Sequence, residues 1–496
     1  MSSIDEIRDA RIKKLELLIA RGINPYPAES KRELSLSEAT NSFSLLEKNN
    51  EIKWISGRIM AIRGQGAIIF LTLNDGTAIF QALLKKDSLG DEKFDLFTDS
   101  VDIGDFVEVE GFFFTTKRGE KTIEVKDWIM LSKSLRPLPE KWHGLQDIEE
   151  RFRKRYLDIL MDADTKNLIF QKTKFWDVAR SFMKEHGFLE VETPSLEITA
   201  SGADATPFKT FNEDFKLPLY LRICIGELWQ KRLMAAGFNK TFEIGRAYRN
   251  EGTDANHLQE FTNLEFYWAY ANYKDGMDLV EKLYKKIALE VFGKTNFETR
   301  GHKFDFAPNW ERIDYRDTIK KETGIDVLDT TNEEIKKKLQ ELKVVYDGET
   351  TERLIDTLWK YCRRKISGPV FLTGHPKLVS PLSKSMPENV NLTERFQIIL
   401  AGSEVGNGFS ELNDPIDQAH RFEVQFELIK KGDKEAMMPD MEFVEMLEHG
   451  MPPTCGFGFG EMLFAFLAEI IVYDSTLGTT ERQQVESYLS NKYNII

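Results

Sequence analysis

The sequence predicts an α+β protein with at least two domains: an N-terminal β-barrel and a larger domain whose paired strands wall a polar cleft. A chain of 496 residues is longer than one ordinary domain. Residues 54–131 contain five short alternating segments separated by turn signals, which predicts a small barrel. Residues 241–267 place arginines and glutamates among strand-forming apolar residues, which predicts two strands beside a cleft.

The composition excludes several classes of protein. Hydrophobic residues make up 41% of the chain and charged residues 30%, which is typical of a soluble globular protein. The net charge of -14 opposes nucleic-acid binding by the field of the whole molecule, although a local basic face is sufficient. The three cysteines lack disulfide or zinc-ligand spacing, which favours the cytoplasm. The longest apolar run, residues 462–473, is interrupted by Glu469, so no membrane role is expected.

Residues 4–21 repeat apolar positions at helical spacing, with basic residues between them, and Gly22 ends the pattern. This helix either rests on a nucleic-acid backbone or docks with one face solvated. The following segments predict a barrel of the OB type, which places Phe70 and Gln81 on adjacent strands as a platform for unpaired bases. Phe70 taken alone fits a core position better. Arg63 at the first turn adds a donor for phosphate or base.

Two glutamates in the segment 395–415, RFQIILAGSEVGNGFSELNDP, point to a metal. Glu404 and Glu411 are seven residues apart, so an unbroken strand would put them on opposite faces. The glycines between them predict a bulge that brings both carboxylates to one side. Two such oxygens suit Mg²⁺ carrying the phosphates of a nucleotide, and solvated edge carboxylates are the alternative.

Arg249 supplies the complementary cation. It lies between Tyr248 and Glu251, where a guanidinium can hold a carboxylate and a phosphate oxygen together. With Mg²⁺, it would neutralise charge as a carboxylate attacks phosphorus, without an enzyme nucleophile. More carboxylates surround the predicted cleft than one Mg²⁺ needs, which predicts a cationic substrate; they are Glu227, Glu251, Glu265, Glu404 and Glu411.

At these residues the chain resembles the bacterial class II lysyl-tRNA synthetases, from about Ile4 to Gly460. The segment GFLEVETP resembles the first class II motif, at the dimer interface. FEIGRAYRNEG with FTNLEFYWAYA resembles the second motif, and EVGNGFSELNDP with GMPPTCGFGFG resembles the approach to the third. The resemblance implies an OB-fold anticodon-binding domain, an antiparallel catalytic sheet flanked by helices, and a homodimer.

The resemblance also implies an activity: lysine and ATP give lysyl-adenylate, and tRNA(Lys) then accepts the lysyl group. Arg249 would bridge the lysine carboxylate and the α-phosphate. The remaining roles that the resemblance implies are nucleotide binding by Glu251, His257 and Glu404; Mg²⁺ binding by Glu404 and Glu411; α-amino binding by Gly202 and Glu227; ε-ammonium binding by Glu265, Tyr267, Asn407, Phe409 and Glu411; and anticodon binding by Arg63, Phe70, Gln81 and Asp127.

The chain departs from the family pattern after the glycine run. The family has an acidic residue and then an arginine that grips the γ-phosphate, whereas here Glu461 is followed by Met462. Methionine donates no hydrogen bond to phosphate, so a catalytically impaired tRNA-binding or regulatory paralogue is an alternative. An aspartyl- or asparaginyl-type synthetase is a second, although its pocket would present cations to the side chain.

The tail departs too, because residues 461–496 resemble the end of a concanavalin-like lectin domain, which suggests a join near Gly460. The predicted limits are therefore 1–133 for the N-terminal helix and barrel, 134–150 for a linker, 151–460 for the catalytic domain and 461–496 for an atypical tail.

Overall fold

The computed structural model describes residues 4–139, 147–203, 205–252, 258–346, 348, 350–430 and 436–468. The chain divides into two compact units, Met1–Lys166 and Asn167–Ile496. The domain limits given above stay a prediction.

Five strands close into a barrel in the first unit, as the alternating segments predict. They are β1 (Ile52–Gln65), β2 (Ile68–Asn74), β3 (Ile79–Lys85), β4 (Phe106–Thr115) and β5 (Lys121–Ser132). Their order is β1-β2-β3-β5-β4, with β3 and β5 parallel and the other neighbours antiparallel. Apolar side chains at alternate positions, such as Leu71, Leu73 and Phe80, fill the interior.

The helices of this unit are α1 (Ile4–Ala20), α2 (Leu36–Asn41), α3 (Phe43–Asn49), α4 (Lys86–Leu89), α5 (Asp91–Ser100), α6 (Ile148–Arg153) and α7 (Arg155–Met161). The first of them docks on the barrel through one face. Its Arg11 is buried and donates to Ile103 O at 2.9 Å and to Ser134 Oγ at 2.6 Å, and Leu18 enters the barrel core. These contacts favour the docking interpretation of residues 4–21.

The second unit contains a nine-stranded sheet. Its strands are β6 (Leu189–Glu190), β10 (Lys240–Tyr248), β11 (Glu260–Ala269), β14 (Glu311–Asp314), β15 (Val370–Pro376), β16 (Ser385–Met386), β17 (Asn389–Leu400), β18 (Ser403–Ser410) and β19 (Thr454–Gly460). The order is β14-β15-β17-β18-β19-β11-β10-β6, and β16 pairs with β17. All pairs are antiparallel except β14 with β15 and β6 with β10, so the predicted antiparallel sheet is confirmed.

Two smaller sheets lie in the same unit: β12 (Asn296–Thr299) with β13 (His302–Asp305), and β7 (Leu196–Glu197), β8 (Lys209–Asn212) and β9 (Leu217–Leu221) in the order β7-β9-β8. The helices are α8 (Ala163–Glu185), α9 (Glu227–Ala235), α10 (Tyr273–Phe292), α11 (Tyr315–Thr323), α12 (Asn332–Glu341), α13 (Thr351–Arg363), α14 (Pro415–Lys430), α15 (Met441–Glu448) and α16 (Met462–Leu467). A capping box between Asn272 and Asp275 starts α10, and Gly293 in the left-handed conformation ends it.

The central strand β19 has two chemically different faces, because its sequence TCGFGFG alternates glycine with phenylalanine. Phe457 and Phe459 are buried in the main core together with α8 and α10. Gly456, Gly458 and Gly460 occupy the opposite face, where side chains of the neighbouring segments take the space above them. The sheet therefore has a phenylalanine face and a glycine face at β19.

Candidate active site

The predicted substrate residues lie in two rows on the glycine face of the sheet. Tyr267 on β11 and Phe409 on β18 both pair with Gly456 on the strand between them. Glu265 and Asn407 both pair with Gly458 in the same way. Because directly paired residues share a face, these four side chains flank a groove floored by glycine.

The glycine floor is required by the side chains around it. A Cβ at Gly456 would collide with Glu411 Oε1 and lie 2.7 Å from Tyr267 Cε1. A Cβ at Gly458 would lie 2.8 Å from Glu265 Cγ. The carboxylates therefore occupy the space that side chains on β19 would fill.

The structure brings Gly202 and Glu227 together, as their predicted shared role requires. Gly202 has φ +103°, and a Cβ there would lie 3.2 Å from Glu227 Cβ and 3.5 Å from Glu227 Oε2. Glu227 is the first residue of α9 and is buried. Gly202 thus allows the backbone to approach a buried carboxylate.

Sequence reasoning missed a buried lysine beside these carboxylates. Lys231 Nζ lies 2.9 Å from Glu227 Oε1 and 2.5 Å from Glu411 Oε2. Burial works to lower the pKa of Lys231, but the two carboxylates outweigh it and raise the pKa above its ordinary value. The spacing of Glu227 and Lys231, four residues apart on a helix, is the signal that would have found this contact.

Glu265 is also buried in the groove, where its Oε1 accepts a hydrogen bond from the backbone N–H of Ile225 at 2.8 Å. Burial raises the pKa of Glu265 to about 7, and the nearby Glu227 adds to the rise. The Ile225 N–H and the Arg249 guanidinium work in the opposite direction. A cation that binds beside Glu265 would therefore stabilise its ionised form.

We expect this raised pKa to make Glu265 a pH-dependent cost to stability. The folded protein holds the proton up to about pH 7, whereas the unfolded chain releases it near its ordinary value, so the contribution of Glu265 falls as the pH rises between the two. In the absence of the substrate lysine, the free energy of unfolding of the parent should fall relative to that of Glu265→Gln as the pH rises towards about 7. The slope should be at most about 1.4 kcal/mol per pH unit.

Chemical denaturation at several pH values measures this difference. The control is Glu213→Gln, which removes an exposed carboxylate and should show no such trend. A difference between parent and Glu265→Gln that stays constant with pH would contradict the prediction.

Arg249 lies where β10 ends, beside the same groove. Its Nε donates to Ile223 O at 3.3 Å, and its guanidinium lies 5.3 Å from the centre of the Phe261 ring. Arg249 N donates to Gln259 O at 2.9 Å, which continues the pairing of the two strands. The side chain is half-buried, with a guanidinium that acts on the pKa values of both Glu265 and Glu404.

Glu251 is held by the loop that contains Gly202. Its Oε1 accepts a hydrogen bond from Thr206 N at 3.0 Å, and Asn250 N donates to Thr206 O at 2.7 Å. These two contacts join the residues after β10 to Thr206, in the segment 201–208 that also contains Gly202. His257, the other predicted nucleotide residue of this segment, lies outside the described residues.

The predicted bulge is present in β18. Gly406 pairs with Ile398 and Glu404 with Ile399, so Val405 is the extra residue. Glu404 Oε2 accepts from Gln397 Nε2 at 2.6 Å, and Gln397 is also the strand partner of Asn407. The bulge therefore places Glu404 on the face that carries Asn407 and Phe409.

The two predicted metal ligands have different partners. Glu411 is 1% exposed and is paired with Lys231, so the alternative of a solvated edge carboxylate does not describe it. Glu404 is half-buried and contacts Gln397, whose Oε1 is buried without a hydrogen-bond partner among the described residues. Over that same part of the chain, no group of three or more His, Cys, Asp and Glu is arranged to hold a metal.

Met462 begins α16 and packs partly against the main core. Glu461 before it accepts from Lys172 Nζ at 2.6 Å and from Thr262 N at 2.9 Å. Leu463, Phe464, Phe466 and Leu467 are buried in the main core. Residues 461–468 thus continue the packing of β19, and residues 469–496 of the tail lie outside the described residues.

In the barrel, three of the four predicted anticodon residues share one face. Arg63 on β1 pairs with Phe70 on β2, and Gln81 on β3 pairs with Thr72, two residues along from Phe70. Phe70 is half-buried and lies outside the barrel core, which argues against the core interpretation. Asp127 lies further along β5 and accepts from Lys93 Nζ at 2.7 Å.

Comparisons with known proteins agree with this architecture. Residues 147–468 match the family described as tRNA synthetases class II (D, K and N), and residues 53–131 match the OB-fold nucleic acid binding domain. The chain is 42% identical over 471 residues to the "Lysine--tRNA ligase" of Thermotoga maritima, with 94% of each chain covered. It is 41% identical over 461 residues to the protein of that name from Roseiflexus sp. (strain RS-1), covering 92% of this chain and 94% of the relative. Another, from Halalkalibacterium halodurans, is 41% identical over 466 residues, with 92% of each covered.

Proposed function

Because this chain belongs to the class II tRNA synthetases (D, K and N), we propose that it is a lysine–tRNA ligase, which activates lysine with ATP and transfers it to tRNA. The relatives that carry this name are similar over almost their whole length. The barrel and the sheet described above have the two domain types that such an enzyme needs: one for the anticodon and one for the chemistry.

The single observation that carries the choice of amino acid is the surplus of buried carboxylates in the groove. Glu227, Glu265 and Glu411 are all buried, with one buried ammonium, Lys231, among them. Each unpaired buried charge is costly, so the groove favours a ligand that brings positive charge. Lysine carries two ammonium groups, whereas aspartate and asparagine bring no cationic side chain. The aspartyl- or asparaginyl-type alternative is disfavoured on this ground.

Binding of lysine uses the two rows of the groove. Glu227 and Gly202 receive the α-amino group at the start of α9, and the side chain extends along the glycine floor between Tyr267 and Phe409. Its ammonium meets Glu265 and Glu411, with Asn407 beside them. The aromatic side chains cover the methylene groups and also favour a cation.

Activation is a displacement at the α-phosphorus of ATP. A carboxylate oxygen of lysine forms the new P–O bond, the bond to pyrophosphate breaks, and the pyrophosphate oxygen takes the electron pair. Arg249 donates to the lysine carboxylate and to the α-phosphate, which orients both groups and offsets the charge that develops. Glu251, held by Thr206 N, would contact the nucleotide. The same role is proposed for His257, which lies outside the described residues.

A metal ion would assist this step by neutralising charge on the phosphates. Desolvation raises the pKa of Glu404, so this carboxylate gains from a cation, and the side-chain amide of Gln397 contacts it through Nε2. The Glu404 carboxylate fits Mg²⁺ that arrives with ATP, because that ion takes one or two protein ligands plus phosphate and water. Glu411 fits less well, because Lys231 already offsets its charge.

In the second step, a hydroxyl of the terminal adenosine of tRNA(Lys) attacks the carbonyl carbon of lysyl-adenylate, and AMP leaves. The barrel selects the tRNA through Arg63, Phe70, Gln81 and Asp127, which would contact the anticodon. Phe70 lies outside the core, on the face that it shares with Arg63 and Gln81, which suits the stacking of an unpaired base.

We expect Phe70→Ala to weaken the binding of tRNA(Lys) by about 1–3 kcal/mol, because one stacked base loses its aromatic partner. The variant should keep the parent's rate of adenylation without tRNA. Leu45→Ala, which truncates an exposed apolar side chain on α3, is the matched control. Filter binding or fluorescence anisotropy measures the affinities, and equal affinities for Phe70→Ala and the parent would contradict the proposed stacking.

We propose further that the chain acts as a homodimer in the cytoplasm. Large apolar side chains are exposed around the segment that resembles the first class II motif: Leu189, Leu196 and Ile198 are each at least half exposed. A second copy would cover such a surface. The three cysteines are free and buried, which suits a reducing compartment, and no described helix is long and apolar enough to cross a membrane.

Exchange of pyrophosphate into ATP tests the proposed activity directly. Lysine should support the exchange, while aspartate and asparagine at the same concentration should not. Exchange supported by aspartate or asparagine instead of lysine would refute the choice of amino acid.

A further inference from the structure

The buried Lys231 joins the two carboxylates that the proposed function gives to the two ends of the substrate. Its Nζ lies 2.9 Å from Glu227 Oε1, on the side of the α-amino group, and 2.5 Å from Glu411 Oε2, on the side of the ε-ammonium. The side chain of Lys231 is 1% exposed. A charge buried so completely is stable only while it is paired, so both contacts are held.

The two contacts connect distant parts of the fold. Glu227 is one turn before Lys231 on α9, and Glu411 directly follows β18. Three aromatic rings enclose the ammonium, with centres 5.4–5.9 Å from Nζ: those of Tyr267, Phe409 and Phe443. Lys231 therefore fixes the position of the helix carboxylate relative to the sheet carboxylate.

Each carboxylate contacts Lys231 through one oxygen and leaves the other for a second donor. Glu411 Oε1 is buried and has no hydrogen-bond partner among the residues described. Glu227 Oε2 faces Gly202, where a Cβ would lie 3.5 Å away. The remaining oxygens form two acceptors whose separation is set by one shared cation.

We infer that Lys231 is a positioning residue that sets the distance between these two acceptors and so selects a diamino acid by the length of its side chain. The inference rests on the proposed function, because the acceptors matter only if the substrate has an amino group at each end. Ornithine, which is one methylene shorter than lysine, would reach one acceptor but not both.

Equilibrium binding of lysine, ornithine and ATP to the full chain tests the role of Lys231. In Lys231→Met, we expect the affinity for lysine to fall roughly tenfold or more and the preference for lysine over ornithine to fall by a similar factor. The affinity for ATP should stay that of the parent. Lys231→Arg keeps the positive charge but moves the donors, so it should also lower the preference.

Lys133→Met is the matched control. Lys133 is buried between Asp102 and Asp105 in the barrel, at 2.6 and 2.8 Å, so its loss removes a similar ion pair away from the groove. The preference of the Lys133→Met variant for lysine over ornithine should equal that of the parent.

The inference is overturned if folded Lys231→Met keeps the parent's preference for lysine over ornithine. If Lys231→Met does not fold, Lys231→Arg decides, and an unchanged preference in that variant overturns the inference. Failure of the proposed function has a different result, because the parent itself would then bind lysine no better than aspartate.

Discussion

Arg249→Ala should reduce lysine-dependent exchange of pyrophosphate into ATP by roughly a hundred- to a thousandfold. Arg249 is proposed to hold the attacking carboxylate and the α-phosphate at once, so its loss removes both orientation and charge neutralisation. The fold should survive, because the contacts of the half-buried side chain with the described residues are few: a hydrogen bond to Ile223 O at 3.3 Å and a ring contact with Phe261. Lys in place of Arg should not restore the rate, since an ammonium lacks the planar fork.

The control for this prediction lies three residues earlier, on β10. Arg246 is 51% exposed, and its ion-pair partners among the described residues, Glu260 and Glu461, have carboxylate oxygens 3.5 and 3.7 Å away. Arg246→Ala removes the same charge from a neighbouring position and should leave the exchange rate within a small factor of the parent. An equal loss in both variants would show that the effect comes from the overall charge and not from the proposed bridge.

Met462→Arg should increase the rate of adenylation by roughly thirty- to a thousandfold, which corresponds to about 2–4 kcal/mol of transition-state stabilisation. Met462 stands where the resemblance to the family expects an arginine for the γ-phosphate, and a thioether donates no hydrogen bond. The new side chain has room, because Met462 is only partly buried at the first position of α16, and an arginine stem can follow the apolar surface.

Met462→Leu is the control, because it keeps an apolar side chain of similar volume and should leave the rate unchanged. Steady-state exchange at several ATP concentrations separates a change in KM from a change in kcat. Negligible lysine-dependent exchange in both the parent and Met462→Arg, with tRNA still bound, would favour the catalytically impaired tRNA-binding protein. The measurement therefore decides between the proposed enzyme and its main alternative.

Much of the fold follows from local sequence patterns. Alternating apolar residues with turn signals predicted the barrel, and the observed strands β1 to β5 lie in the predicted segment. Helical spacing and a glycine stop predicted α1 to within a few residues. The bulge at Val405 was expected from the glycines that follow it, since glycine relieves the strain of an irregular strand.

The partners of the charged side chains did not follow from these patterns. Spacing alone suggested Glu404 and Glu411 as one metal pair, whereas the structure gives Glu404 the amide of Gln397 and gives Glu411 the ammonium of Lys231. Gln397 carried no signal in the sequence, and the spacing of Lys231 indicated only its contact with Glu227 on the same helix, because the contact with Glu411 is made to another element. Whether Glu404 and Glu411 share a metal stays a prediction.

The amino-acid sequence alone predicts the order of the two domains, the type of each, and the surplus of carboxylates that points to a cationic substrate. These properties depend on residue type and on spacing along a few turns or strands. The pairing of each carboxylate with its cation depends on the tertiary structure, because Lys231 and Glu411 are brought together by the packing of α9 against the sheet. The tertiary structure also explains why glycine fills one face of β19, because the side chains of Tyr267, Glu265 and Glu411 occupy the space where a Cβ would lie.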